Sequence, residues 1–466
     1  MSALWLRLGT RFLPFADAAS DDLPLPRLLR LALFQVSVGM AAVLLTGTLN
    51  RVMIVELHMS AALVALMVSL PLLFAPLRAL IGHQSDHHRS KLGWKRVPYI
   101  WFGTLLQFGG LSIMPFALLV MSGGGAGSAV AGQFGAAIAF LLVGAGMHTT
   151  QTAGLALATD LAPEDARPRV VALLYVMLLL GMMVSALVIG RLLADFSPTR
   201  LVQIVQGAAA LTMVLNITAL WKQEARNRAH TAPRAVPKFT ESWADFTRRR
   251  GTRRLLWVTG LGAGAFAMQD VLLEPYGGQI LGLSVGATTL LTALWSFGML
   301  TGFGLAARAL SRNAEPHRLA GYGAVVGMIA FLCLIFAAPM GLAALLALGA
   351  GLIGLGAGLF SVGTLTAAMA LPDPGGNGLA LGAWGAVQAS AAGAAILIGA
   401  AARDAISGIA VAHELGAVLA DPATGYGFVY ALEILLLLVM LVVLGPLVRG
   451  RGDEAAPRFG LSDFPI

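Results

Sequence analysis

The sequence predicts an all-α integral membrane protein whose twelve transmembrane helices form two six-helix halves. Composition is the first ground. Of 466 residues, 58% are apolar and only 12% charged, against roughly 25% charged in an average soluble domain. Mean hydropathy is +0.80, and a soluble fold this apolar would need an implausibly large core. The second ground is a count of apolar runs near the length of about 20 residues that a helix needs to cross the hydrocarbon. The third is a weak internal likeness: Asn50-Arg51-Val52 aligns with Gln269-Asp270-Val271, and a glutamate follows each, at Glu56 and Glu274. Duplicated six-helix transporter folds leave symmetry of this type.

Taken in order, the runs fall at 31–57, 60–82, 97–121, 131–158, 169–193 and 201–221 in the first half. In the second half they fall at 255–281, 284–310, 318–339, 342–371, 378–402 and 426–448. PYGG interrupts the pattern inside 255–310, and LPDPGGNG supplies the turn near 371–378. The expected organisation is a tail (1–30), a first half (31–221), a linker (222–254), a second half (255–448) and a second tail (449–466). The 56 glycines suit such a chain, because small residues let membrane helices approach closely.

Lysine and arginine set the orientation. With the N-terminus inside, the two tails and the even-numbered connections hold 26 of the 31 basic residues. Both termini are therefore expected to be cytoplasmic, and residues 1–30 lead into a spanning segment rather than a cleavable signal. The net charge of +8 has this topological explanation, so nucleic acid is not an expected partner. The linker holds ESWADFTRR, a short helix suited to a headgroup boundary or to an ordinary connection. A single cysteine, Cys333, allows no disulfide framework or thiolate metal site. There is no phosphate-binding Gly-x-x-x-x-Gly-Lys-Ser/Thr loop and no His-Glu-x-x-His helix, so neither catalysis nor a metal centre is expected.

Four groups of residues stand out against this background. The connection GHQSDHHRSKLGWKRVP (82–98) resembles the loop signature of the major facilitator superfamily, with Gly82, Asp86 and Lys91 at the matching places. That likeness implies a latch between helices, although Arg89 and Ser90 depart from the usual Gly-Arg. His83, His87 and His88 sit in the same loop among cation-repelling basic residues. His148 lies midway along the fourth span, where an imidazole serves to hydrogen-bond a neighbouring helix, relay a proton or ligate a metal. Arg51, late in the first span, and Asp270 and Glu274, late in the seventh, are intramembrane charges, which are costly unless paired, hydrated or protonated. They are read as a charge-paired seam between the halves with Arg51 as the partner and Glu56 adjoining; proton coupling is the rival reading. Pro275 with Gly277-Gly278 is expected to break that helix.

The stretches RFLPFADAASDDLPLPRLLRLALFQVSVGM (11–40), GTLNRVMIVEL (47–57), LPLLFAPLRALIGHQSDHHRSKLGWKRVPYIWFGTLLQFGG (70–110) and HTTQTAGLALATDLAPE (148–164) carry more than a generic transporter. They resemble the bacteriochlorophyll delivery family, the major-facilitator-like group of purple phototrophic bacteria that includes PucC and LhaA. The likeness runs from residue 11 to the last helix, with the N-terminal stretch nearer the PucC type. It implies an assembly factor of the intracytoplasmic inner membrane. Such a factor brings bacteriochlorophyll a to the alpha and beta polypeptides of a light-harvesting antenna or chaperones their oligomerisation, with bacteriochlorophyll synthase as a possible further partner. PucC-type members serve the peripheral complex and LhaA-type members the core complex; transport of a porphyrin-like or other amphipathic solute is the alternative. On this likeness His148, and more weakly Gln151, are candidate pigment contacts. Glycine-rich stretches at 351–363 and 376–395 offer a surface for a flat ring, though small residues of this kind also serve helix packing.

Overall fold

The computed structural model describes residues 23–73, 94, 96–121, 128–163, 166–224, 248, 250–371, 378–412, 416 and 420–449. Among them every regular element is helical. The first half contains α1 (Leu25–Glu56), α2 (Ala61–Leu73), α3 (Val97–Met121), α4 (Ala129–Leu161), α5 (Arg167–Leu192) and α6 (Pro198–Leu220). The second contains α7 (Arg250–Ala267), α8 (Leu273–Gln279), α9 (Val285–Leu310), α10 (Pro316–Met340), α11 (Ala343–Met369), α12 (Gly378–Val411) and α13 (Ala423–Arg449). Among the described residues, ten helices are long and apolar enough to cross a bilayer. The seventh predicted span is the pair α7 and α8, and the chain is a multi-pass membrane protein.

Sequence signals account for most helix ends. Ser128, Ser197 and Ser284 cap α4, α6 and α9 by accepting from backbone N–H groups three residues on, the arrangement that satisfies otherwise orphaned donors. Several boundaries differ from expectation, among them the start of α7 at Arg250 rather than 255. α1 starts at Leu25 rather than 31, with Pro26 in its first turn, where a missing N–H costs nothing. α12 runs to Val411 rather than 402; its 34 residues extend about 50 Å at about 1.5 Å per residue, more than the hydrocarbon requires. Arg403 and Asp404 are therefore inside a helix rather than at its end. Asp404 accepts from Ala62 N–H at the start of α2 (2.8 Å) and from Arg403 (2.8 Å).

Within the first half, α3 packs on α4 and α6, and α1 on α5 and α6; within the second, α11 lies between α9 and α10, and α7 contacts α12 and α13. The halves meet along α5–α9 and α2–α12, with α1 resting on α8 and α9. Small residues set the α5–α9 distance. A Cβ on Gly190 would sit 2.9 Å from Gly286 O, and one on Gly286 would collide with Gly190 O.

The same physics favours helix packing over a pigment surface for the glycines of 351–363. A Cβ at Gly354 would collide with Trp295 O of α9, at Gly358 it would lie 2.8 Å from Met299 O, and at Gly356 2.7 Å from Gly323 O of α10. These glycines are consumed on both flanks of α11 by backbone-to-backbone packing. In 376–395, Gly393 lies against Leu72 of α2 while Gly385 has nothing within 4 Å.

Candidate functional site

Two departures from regular helix meet between the halves. In α1, residues Val43–Thr48 and Val52–Glu56 form π-helical turns. Thr46 Oγ1 donates to Ala42 O (2.9 Å), and Asn50 Nδ2 donates to Thr46 O. Side chains that bond to the carbonyl four residues back compete with the helix ladder, and π turns of this sort often mark functional sites.

In the seventh span, residues 268–272 leave the helix and continue through short turns, Asp270 N–H to Ala267 O (3.0 Å) and Leu272 N–H to Gln269 O (2.8 Å). Pro275 is the cause, acting one turn upstream of itself. Its ring excludes the carbonyl four residues earlier, which is that of Val271, while Pro275 itself sits in the first turn of α8. The break was therefore expected too late in the sequence. Tyr276 holds α8 in place, its hydroxyl donating to Leu334 O (2.9 Å) and its ring packed against Tyr426 and Tyr430.

Between these irregular segments lies a cavity of about 200 Å³ lined by Ala42, Thr46, Met182, Gln269, Asp270, Leu273, Glu274, Thr292 and Trp295. Both halves contribute to it. Glu274 Oε1 accepts from Thr292 Oγ1 (2.7 Å). Its carboxylate rests against Gly47 of α1, where a Cβ would collide with Oε1. Asp270 Oδ1 accepts from Gln269 Nε2 (2.6 Å).

Arg51 makes no direct ion pair with either carboxylate of the seventh span, although its charge reaches Glu274. Arg51 instead pairs with Glu56 and donates to Leu283 O (3.1 Å). Two geometric reasons account for this. A π turn places residue i+5 back over residue i, which brings Glu56 onto Arg51. The broken seventh span presents Gly278 to the guanidinium, a Cβ there lying 3.0 Å from Nε, and leaves Asp270 beside Asn50, whose Nδ2 reaches Asp270 O (3.5 Å). The two segments of the internal repeat thus touch, through Asn50 and Asp270, although these two positions are not each other's counterparts. A second tie at this end of the bundle joins Arg403, Gln279 and Tyr426, with Tyr426 OH donating to Gln279 (2.7 Å).

Sequence reading missed Glu433. It is fully buried in α13 beside the Gln269 backbone and within electrostatic reach of Asp270. The signal was present, a lone carboxylate in ALEILLLL, and the rule applied to Asp270 covers it equally. Thr292 and Trp295 gave no such signal, being unremarkable within a helix.

The candidate pigment contacts lie elsewhere. His148 is half-buried on α4, one turn after Gly144, which packs on Pro71 of α2. Gln151 is buried and donates to Gln35 of α1 (3.4 Å), a contact inside the first half. Neither lines the cavity. Gly82, Asp86 and Lys91, the expected latch, and His83, His87 and His88 lie outside the described residues. Near the start of α3, Arg96 bonds Asp160 of α4 (2.9 Å), and Glu224 accepts from the N–H groups of Arg96 and Val97.

A family model described as PUCC protein matches residues 48–452. Protein PucC of Rhodovulum sulfidophilum is 58% identical, with 86% of this chain and 89% of that protein covered. An uncharacterized protein of the puhA-bchM intergenic region of Rhodobacter capsulatus is 54% identical over 98% of both chains. The bacteriochlorophyll synthase 44.5 kDa chain of Rhodobacter capsulatus is 30% identical over 92% of this chain and 97% of its own.

Among solved structures, a bacterial homolog of the human lysosomal transporter Spinster, inward-facing and unoccupied, aligns with TM-score 0.68 at 14% identity, covering 91% of this chain and 96% of that one. A D-xylose-proton symporter aligns with TM-score 0.63 at 15% identity, covering 89% and 96%. At such identities the likeness is one of fold, and the fold is that of the major facilitator superfamily. With the match extending over most of the sequence and relatives sharing half or more of their residues, the chain belongs to the PucC family.

Proposed function

We propose that this protein is a membrane assembly factor for a photosynthetic light-harvesting antenna, delivering bacteriochlorophyll to antenna alpha and beta polypeptides or chaperoning their oligomerisation. The observation that carries the reading is membership of the PucC family across residues 48–452. The peripheral complex is the proposed client and the core complex the alternative. The proposed setting is the inner, intracytoplasmic membrane with both termini cytoplasmic and no catalytic step.

The central cavity does not fit the pigment. At about 200 Å³ it falls below the roughly 300–1,000 Å³ typical of small-molecule pockets, and bacteriochlorophyll is large even for those. We therefore propose that pigment and antenna polypeptides engage the protein outside this cavity, with His148 as the candidate contact. The second reading, a secondary transporter, draws support from the carboxylates facing the cavity.

Purification from phototrophic cells in mild detergent separates these readings. Antenna polypeptides and a bacteriochlorophyll absorption band should accompany the chain, and the identity of the polypeptides chooses between peripheral and core client. Loss of both would leave transport as the better account. His148→Leu should lower co-purifying pigment several-fold at an unchanged membrane level of the protein; unaltered pigment content would remove that residue from the reading.

A further inference from the structure

The cavity between the halves has a chemistry that antenna assembly does not use. Its walls combine Asp270 and Glu274 with Thr46, Thr292, Gln269 and the apolar surfaces of Met182, Leu273 and Trp295. Two buried acceptor atoms of its lining, Glu274 Oε2 and Gln269 Oε1, make no hydrogen bond of good geometry with the described residues, with the Thr289 hydroxyl lying close to the Glu274 carboxylate. Glu274 is 2% exposed and Gln269 1%. Glu433 adds a third carboxylate behind Asp270. The nearby cation, Arg51, bonds Glu56 and Leu283 O and reaches Glu274 only through its charge, not by a hydrogen bond.

A buried carboxylate is costly without a compensating charge, so this set of acceptors is complementary to a cation with N–H groups to donate. The apolar side of the cavity says what kind. Bare alkali ions prefer a shell of oxygens, whereas Trp offers the best aromatic surface for an organic cation. The volume, about 200 Å³, suits a small ligand with a short apolar body.

From this geometry we infer that the cavity is a binding site for a small primary ammonium ligand. Its charged end meets Glu274, Asp270 and the Gln269 amide oxygen, and its short apolar body lies against Met182, Leu273 and Trp295. Because the lining comes from α1 and α5 on one side and α8, α9 and the 268–272 turn on the other, occupancy would clamp the two halves together. The site goes beyond the assembly role and does not depend on it.

The test is thermal unfolding of the purified full-length protein with n-butylammonium chloride, against equal concentrations of sodium chloride and at fixed pH. At saturation, butylammonium is expected to raise the melting temperature by about 2–4 °C above the sodium control, the size expected for linked binding to the native state. Glu274→Gln should abolish the increment. Trp295→Leu, which leaves every carboxylate in place, should weaken it several-fold, so the proposal stays open to test if the first variant folds poorly. An equal rise with sodium, or a butylammonium increment that survives both substitutions, would overturn it. So would a melting temperature that responds to pH alone, since protons would then be what neutralises the carboxylates. None of these outcomes bears on whether antenna polypeptides co-purify.

Discussion

Gly354→Val is expected to cost much of the folded protein, whereas Gly385→Val should be tolerated. Both sites are glycines in helices of the second half, so intrinsic helix propensity changes in the same direction at each. What differs is the space. The Cβ of Gly354→Val would meet the backbone of Trp295, which no rotamer change can move, while nothing lies within 4 Å at Gly385. Overpacking commonly costs about 1–3 kcal/mol and sometimes more, and an obstructing backbone places Gly354→Val at the upper end. About 3 kcal/mol lowers the folded-to-unfolded ratio roughly a hundredfold. Detergent-resistant monodisperse protein, measured by fluorescence-detected size exclusion, reads the difference directly. Similar yields for the two variants would show that α9 and α11 are further apart than described. The consequence also reaches the cavity, because the segment of α9 that α11 presses upon carries Trp295.

Removing the acid of the Arg51–Glu56 pair should destabilise the protein more than removing the base. Arg51 is buried, with its side chain 5% exposed, whereas that of Glu56 is 39% exposed. Glu56→Ala leaves a buried guanidinium without its counterion. Losing one partner of a fully buried pair costs about 3–5 kcal/mol, and the wet carboxylate lowers that to about 2–4 kcal/mol here. Arg51→Met leaves a carboxylate that water can solvate and one unsatisfied carbonyl, Leu283 O, for about 1–3 kcal/mol. The double variant should therefore be more stable than Glu56→Ala alone. Chemical unfolding of the four proteins closes the cycle. A cycle with Asp270 in place of Glu56 should show little coupling to Arg51. Strong coupling to Asp270 and none to Glu56 would reinstate the pairing expected from the sequence.

Most of the architecture was legible because membrane solvent imposes a simple rule. Backbone groups must be satisfied within a segment, so hydropathy alone locates the spans, and the described helix ends such as Val97–Met121 match the apolar runs closely. The misplaced limits have separate origins. Arg403 and Asp404 look like the end of a span, yet each has a partner that lets α12 continue past them. The proline break was recognised from Pro275 but placed too late, since the clash of a proline falls on the carbonyl four residues before it.

The charged residues show where sequence reading ends. That Arg51, Glu56, Asp270 and Glu274 matter follows from their cost in hydrocarbon, whatever their neighbours. Who meets whom does not follow. It depends on a π turn that rotates Glu56 onto Arg51 and on a helix break that leaves Glu274 against Gly47 and Thr292.

By itself, the sequence determined the all-helical membrane class and the family likeness, because these rest on composition and local pattern. Only the tertiary structure decided which backbones the glycines of α11 meet, that Glu433 joins the acidic group, and that the cavity is too small for a tetrapyrrole. Those outcomes depend on distances between helices remote in sequence. Such distances are set by the mutual fit of two surfaces, which neither segment carries alone.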